Sequence, residues 1–163
     1  MRYLKGTLVY KINGNITYSP TDLMIFMNSP FSSWMARLSV DHPERLKGIE
    51  KDRDEMLDLL ANKGNEHELL FLGEMKQQYG SDNVAVINPD LKTAEQATKE
   101  AMEKGYKVIF QAYLKRDVFA GFADFLVRCV GDSDLGHYYY EAWDTKLSKT
   151  TKPYFVMQLC CYS

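Results

Sequence analysis

The sequence predicts a mixed α/β fold, with a mixed central sheet flanked by helices and a helical region at the N-terminus. Two observations lead to this prediction. Segments with the apolar period of helices alternate with short apolar segments in the earlier part of the chain. Three consecutive segments rich in β-branched and aromatic residues follow them. The chain has 163 residues and no break in composition, so we expect 1–163 to form one domain with its own core.

The N-terminal region carries a well-marked helix start. Ser19 stands as the N-cap, Pro20 takes the first helical position and Asp22 follows three residues after the cap, which is typical of a capping box. A short strand, TLVYKIN at 7–13, is predicted before this helix. A second helix is predicted through PFSSWMARLSV, residues 30–40, and ends before a polar connection.

The middle of the chain alternates between helix and strand. Apolar residues at helical spacing predict a helix over 48–78, in which Gly64 would introduce a bend or a division. NVAVIN, at 83–88, predicts a strand. LKTAEQATKEAMEKG, at 91–105, predicts an amphipathic helix that its terminal glycine ends.

The last third of the chain changes in character. YKVIFQAYLKR (106–116), DVFAGFADFLVRCV (117–130) and HYYYEAWDTKLSK (137–149) predict three consecutive antiparallel strands separated by turn-like residues. Helical spacing resumes after Pro153 and continues to the last residue. Because such an apolar helix needs something to pack against, we expect the chain to be the N-terminal part of a longer protein.

Charge and cysteine content narrow the class of protein. The formal net charge is −2, so any contact with nucleic acid must come from a local basic patch. Cys129, Cys160 and Cys161 show no CxxC spacing, which favours a reducing compartment over a disulfide framework. The sequence shows no signal peptide and no apolar run of membrane-spanning length. We therefore expect a soluble, cytoplasmic protein without a membrane partner.

An acid two residues before a lysine occurs three times in the chain. The copy at Glu74 lies in a predicted helix, where side chains two residues apart point in different directions. The copy at Asp90 follows a proline at a helix entrance, where a turn or capping role explains the acid. The third copy, Asp144-Thr-Lys146, falls on a predicted strand, where both side chains share one face.

The predicted strand register brings a second aspartate to the same place. If residues 132–136, DSDLG, form the loop of the last hairpin, Asp124 lies directly opposite Asp144, whereas a loop longer by one residue turns it to the other face. Facing carboxylates repel each other unless a cation lies between them, and their oxygens suit Mg²⁺ or Mn²⁺. The alternative is an ion pair of Asp144 with Lys146 that has no chemical role.

Four short motifs resemble, in order, those of RecB-like nucleases in the PD-(D/E)XK superfamily. The motifs are GNEHE with Gly64 and His67, GFADFL with Gly121 and Asp124, WDTK with Asp144 and Lys146, and QLCCY with Gln158 and Tyr162. The resemblance runs from the N-terminal helix to the last residues. It implies a restriction-endonuclease-like core for the α/β fold and a RecB-like, metal-dependent nuclease domain spanning 1–163.

The resemblance also implies roles for individual residues. Asp124, Asp144 and Lys146 would be the catalytic groups. The ligands of one or two Mg²⁺ or Mn²⁺ ions would be His67, Asp124, Asp144 and the backbone carbonyl of Thr145. Such ions polarise a phosphate and lower the pKa of a bound water. Lys146 would orient that water or stabilise the charge that develops during hydrolysis.

The same resemblance suggests substrate contacts and partners. Gln158 and Tyr162 would steady the motif or the DNA backbone, and Lys149 extends a small basic strip that could meet phosphate. The implied partners are DNA, mainly single-stranded, and a helicase domain in the same or a partner chain. Several relatives carry an iron–sulfur cluster whose first cysteine precedes a proline. Here Ser29 stands before Pro30, so we expect no cluster in this chain.

Three functions follow from these patterns as hypotheses. The leading one is metal-dependent hydrolysis of DNA phosphodiesters, exonucleolytic on single strands, in repair, recombination or CRISPR adaptation. The second is a catalytically silent module that keeps the nuclease fold and binds nucleic acid or protein. The third is a metal hydrolase that acts on a small phosphorylated substrate. Metal-dependent release of nucleotides from DNA distinguishes them.

Overall fold

The computed structural model describes residues 9–12, 14–48 and 55–163. Over these residues the chain is a mixed α/β protein. Among the helices in these ranges, none has the length and apolar character needed to cross a bilayer. The elements in chain order are β1 (Tyr10–Ile12), β2 (Asn15–Thr17), α1 (Pro20–Asn28), α2 (Pro30–Asp41), α3 (Glu55–Tyr79), β3 (Val84–Val86), α4 (Ala94–Glu103), β4 (Val108–Arg116), β5 (Phe119–Ser133), β6 (Gly136–Trp143) and α5 (Pro153–Cys160).

The chain divides into two compact units. The first contains the described residues among 1–54 with Lys115–Gly121 and Thr151–Cys161. The second contains Glu55–Leu114, Phe122–Thr150 and Tyr162–Ser163. The first unit therefore holds α1, α2 and α5, and the second holds α3, α4 and most of the sheet.

In the first unit, the predicted helix start is confirmed. The Oδ2 atom of Asp22 accepts from the backbone N–H of Ser19 at 2.6 Å and from its hydroxyl at 2.8 Å. Its Oδ1 atom accepts from the N–H of Val9 at 2.7 Å. Because Asp22 is buried, these bonds compensate for its removal from water. The capping carboxylate thus also ties the preceding strand region to α1.

Most predicted elements are present. The described part of the predicted strand at 7–13 is β1, which pairs with a second short strand, β2; residues 7, 8 and 13 lie outside the described residues. The helix predicted over 48–78 is continuous through Gly64 as α3, and its predicted start at 49–54 also lies outside them. An added Cβ at Gly64 would meet no atom within 4 Å, so no close packing requires a glycine there.

The sheet of the second unit is mixed, as predicted. Its strand order is β3-β4-β5-β6. The first two strands are parallel, with Val84 paired to Val108, and α4 forms the crossover between them. A two-residue turn connects β4 to β5, which requires these neighbours to be antiparallel. Strands β5 and β6 are antiparallel.

The register of the last hairpin is the predicted one, although its loop is not. Phe125 pairs with Trp143, and the same register continues to Val130 paired with Tyr138. The turn has two residues, 134 and 135, rather than the predicted five. A β-bulge between Val130 and Ser133 compensates for the shorter turn, because two residues of β5 oppose His137 there. The bulge thus keeps Asp124 level with Asp144.

The strand prediction for 137–149 was too long. Strand β6 ends at Trp143, and Asp144, Thr145 and Lys146 follow it outside regular structure. The apolar alternation that supports β6 stops at this point, because the next residues are almost all polar up to Pro153. The side chains of Asp144 and Lys146 are nevertheless in contact with each other.

Phe125 is at the centre of the core that supports the strand. It is 0 % exposed, and its ring lies 5.0 Å from the rings of both Phe71 and Phe110. A cluster on this face joins α3 to the sheet. Ile109 and Leu126 alternate with cluster residues along their strands and are also buried, so both faces of β4 and β5 are covered.

Replacing Phe125 with alanine should destabilise the protein by about 3–5 kcal/mol, because it removes a fully buried ring and leaves a cavity. Urea unfolding followed by circular dichroism measures this loss. Val130→Ala is the matched control in the same strand, since Val130 is 95 % exposed; it should change the free energy of unfolding by less than about 0.5 kcal/mol. Equal effects of the two substitutions would contradict this assignment of the core.

Candidate active site

Asp124 is a buried acid in the middle of β5. It is 7 % exposed and lies between Ala123 and Phe125, which are buried as well. Because Phe125 pairs with Trp143, Asp144 becomes the neighbour of Asp124 just after the end of β6. The two carboxyl groups interact directly, because Asp124 is a cause of the raised pKa of Asp144. The sequence-predicted pair is therefore brought together.

Asp144 forms an ion pair with Lys146 in which the carboxylate is buried and the lysine is partly exposed. Its side chain is 6 % exposed, and the Nζ atom of Lys146 lies 2.9 Å from Oδ1 and 2.7 Å from Oδ2. The ammonium donates a hydrogen bond to Oδ1, while Oδ2 has no aligned hydrogen-bond donor. Burial and, after it, the adjoining Asp124 together raise the pKa of Asp144 to about 7, although Lys146 opposes both effects. The carboxylate of this ion pair is thus shielded from water, whereas the lysine is partly accessible.

This raised pKa predicts a pH dependence of stability in the absence of metal. The folded protein holds the Asp144 proton up to about pH 7, whereas the ordinary value is 3.8. A group whose pKa is higher in the folded than in the unfolded protein stabilises the fold fully at pH values below its unfolded pKa. This contribution is lost as the pH rises through the folded pKa. Asp144→Asn should therefore gain stability over the parent protein between pH 5 and pH 8, by on the order of 2 kcal/mol.

Urea unfolding of both proteins in EDTA at the two pH values measures the difference. Comparing variant with parent cancels the contributions of the other carboxylates. If the difference in the free energy of unfolding between variant and parent is the same at pH 5 and pH 8, the Asp144 carboxyl has an ordinary pKa.

Buried polar atoms without hydrogen-bond partners occur at motif residues. Over the described part of the chain, such side-chain atoms are Oδ2 of Asp144, Oγ1 of Thr145 and Oε1 of Gln158. An unsatisfied buried acceptor or hydroxyl costs about 1–3 kcal/mol, so the atoms of Thr145 and Gln158 require an explanation such as an ordered water. Oδ2 of Asp144 has the Lys146 ammonium 2.7 Å away. Gln158 belongs to α5 in the first unit, whereas Asp144 and Thr145 belong to the second.

The sequence analysis also assigned roles to Tyr162, Lys149 and His67, which have different surroundings. The hydroxyl of Tyr162 donates to the backbone carbonyl of Phe122 at 2.9 Å, so Tyr162 fixes β5 two residues before Asp124. Lys149 is exposed in the segment after β6. His67 is half-buried in α3, and its assignment as a metal ligand stays a prediction.

The sequence-based prediction missed one polar contact between α3 and β4. Glu68, the residue after His67, is 9 % exposed, and its Oε2 atom accepts a hydrogen bond from Nε2 of Gln111 at 3.3 Å. Gln111 has a φ of +56° within β4. A polar side chain inside the apolar run VIFQAYL was the available signal.

The acids that the structure brings together suit a hard divalent cation. Across the described ranges, no three His, Cys, Asp or Glu side chains group closely enough to form a complete metal site. Mg²⁺ commonly takes one or two carboxylates and fills its other positions with water and substrate phosphate. Asp124 and Asp144 provide such a pair. These residues fit the ion that the resemblance implies.

Comparison with protein-family models finds no match to this chain, and comparisons with curated proteins and with solved structures find none either. The resemblance to RecB-like nucleases therefore stays a prediction drawn from the four motifs and their order. The geometry adds the pairing of the two aspartates and the lysine beside them.

Proposed function

We propose that this protein is a metal-dependent nuclease that hydrolyses DNA phosphodiester bonds and has a PD-(D/E)XK core. The observation that carries this proposal is the buried pair Asp124 and Asp144 with the ammonium of Lys146 against it. The two carboxyl groups adjoin each other away from bulk water, so they repel each other when both are ionised. A divalent cation would relieve that repulsion, which explains why the pair is tolerated.

Each residue has a role in the proposed reaction. Asp124 and Asp144 hold a Mg²⁺ or Mn²⁺ ion, which when bound supplies polarisation of the phosphate and a lower pKa for water. Lys146 keeps its ammonium beside Asp144 and stabilises the negative charge that develops on the phosphate as water attacks. Tyr162 holds β5 in register through the carbonyl of Phe122. Lys149, which is exposed, contacts the DNA backbone.

Release of nucleotides from end-labelled single-stranded DNA tests this proposal. We expect release with Mn²⁺ or Mg²⁺, none with EDTA, and none from Asp124→Asn in either condition. Double-stranded DNA and RNA of the same sequence, assayed in parallel, report the substrate preference. DNA binding without release would favour the catalytically silent module. Hydrolysis of small phosphate esters alone would favour the third hypothesis.

A further inference from the structure

Two aromatic rings lie on the surface of the first unit at the start of α2. Phe31 is 67 % exposed and Trp34 is 56 % exposed. Their ring centroids are 5.9 Å apart and the ring planes meet at 29°, so the rings stack on each other and keep their outer faces open to water. Phe26 and Met27, in the last turn of α1, are exposed as well. Exposed apolar side chains grouped in this way mark a binding surface more often than single ones do.

The same unit carries an excess of positive charge. Among its described residues, seven basic side chains stand against four acidic ones, a formal charge of +3, although the whole chain carries −2. The basic residues are Lys11, Arg37, Arg45, Lys47, Lys115, Arg116 and Lys152, and the acidic residues are Asp22, Asp41, Glu44 and Asp117. Asp22 is buried, and Asp41 pairs with both Lys11 and Arg37. The charge of this unit therefore complements a phosphate backbone.

Arg37 continues the line of the two rings along α2. Positions 31, 34 and 37 are three residues apart, so each lies beside the next on the helix surface. The guanidinium donates to Asp41 through Nε at 2.6 Å and to the hydroxyl of Tyr18 through Nη1. These two bonds fix its position. A guanidinium has five N–H donors, so others remain for a phosphate.

Exposed aromatic rings on a positively charged surface are the combination with which proteins bind single-stranded nucleic acid. The rings stack on the flat faces of bases, and the cations meet the phosphates. In a duplex those faces are covered by neighbouring base pairs and only the edges are open, so such rings select unpaired strands. An apolar protein partner would match the rings but would leave the charge of the unit unexplained.

We propose that the first unit binds single-stranded DNA, with bases stacked on Phe31 and Trp34 and a phosphate at Arg37. This inference deepens the proposed function and rests on it for the choice of DNA over RNA. The rings supply affinity for unpaired strands and take no part in the chemistry. Removing them should therefore weaken binding and leave turnover at saturating DNA unchanged.

Binding of a labelled oligothymidylate in EDTA, where we expect no cleavage, tests the proposal. Phe31→Ala and Trp34→Ala should each raise the Kd by about fivefold to a hundredfold, the range for one stacked base. The salt dependence of the Kd should stay the same, because no phosphate contact is lost. Trp34→Phe keeps a ring, and it should restore the affinity to within about threefold of the parent.

Two further measurements separate stacking from general attraction to DNA. An abasic strand has the same phosphates without bases, so the parent should bind it more weakly than oligothymidylate, and the Phe31→Ala, Trp34→Ala double variant should bind both alike. The chain has two tryptophans, so Trp143→Phe leaves Trp34 as the source of tryptophan fluorescence. Oligothymidylate should quench that fluorescence as a base stacks on the ring.

Leu70→Ala is the matched control, since Leu70 is an apolar residue of the second unit that is 69 % exposed; it should leave the Kd within about twofold of the parent. If the ring variants bind oligothymidylate as the parent does, or Trp34 is not quenched, the inference is wrong. It is also wrong if those variants only lower the mass measured by sedimentation, because the rings then join copies of the chain. In each case metal-dependent release of nucleotides by the parent decides the proposed function separately.

Discussion

Replacing Asp144 with asparagine should abolish DNA cleavage and weaken Mn²⁺ binding together. The amide has the shape of the carboxylate but lacks its charge, so the candidate site loses one of its two paired anionic ligands. We expect Mn²⁺ affinity to fall at least about tenfold, a loss that even outer groups of metal sites can cause. Calorimetric Mn²⁺ titration and single-stranded DNA digestion on the same samples measure both effects.

The matched control for this experiment is Asp132→Asn in the same hairpin. The side chain of Asp132 is fully at the surface, where it contacts only the similarly exposed His137 in the described structure. We expect this variant to bind Mn²⁺ and digest DNA as the parent does. Asp144→Asn should remain folded in EDTA, because it removes the repulsion with Asp124. A folded Asp144→Asn protein that still digests DNA would exclude the aspartate pair as the site of hydrolysis.

Replacing Lys146 with alanine should separate chemistry from metal binding. The lysine is not a ligand, so cleavage should fall by about 10²-fold or more, the scale of a lost electrostatic group. Its ammonium lowers the pKa of Asp144, and without it a proton competes more strongly with the ion. At a pH well above 7, where Asp144 is ionised in both proteins, this competition is absent. The loss of a nearby positive charge should then leave the affinity for Mn²⁺ equal or slightly higher.

Lys149→Ala is the control for a general loss of positive charge. Lys149 is exposed, so this variant should weaken DNA binding and reduce its dependence on salt while turnover at saturating DNA is unchanged. If Lys146→Ala digests DNA as fast as the parent, Asp144-Thr-Lys146 is not the catalytic motif. The catalytically silent module would then become the leading hypothesis.

The sequence predicted features that short-range chemistry determines. Ser19, Pro20 and Asp22 define a helix start because each acts on backbone groups within one turn. The order of strands and helices followed from the period of apolar residues. The pairing of Asp124 with Asp144 was predicted correctly, but from a loop of the wrong length. The bulge that restores the register contains Gly131, and an isolated glycine within a strand was the available signal for it.

The features that sequence reasoning missed depend on packing between distant segments. His67 and Glu68 are adjacent in α3, and which of them is more deeply buried depends on the rotation of the helix against the sheet. The left-handed φ of Gln111 also has no local cause, since glutamine does not favour that region. Both features involve contacts 43 residues apart in the chain, beyond the reach of periodicity or capping rules.

The bulge in the last hairpin determines which insertions and deletions the hairpin should tolerate. Side chains of a strand alternate between faces, so inserting or deleting one residue turns every later side chain over. The extra residue opposite His137 already offsets a turn that would otherwise place Asp124 and Asp144 on different faces. Length changes between Val130 and Tyr138 should therefore be tolerated in pairs, or singly where a bulge is gained or lost. Sequence diversity in this hairpin would then be constrained by odd and even spacing rather than by residue identity.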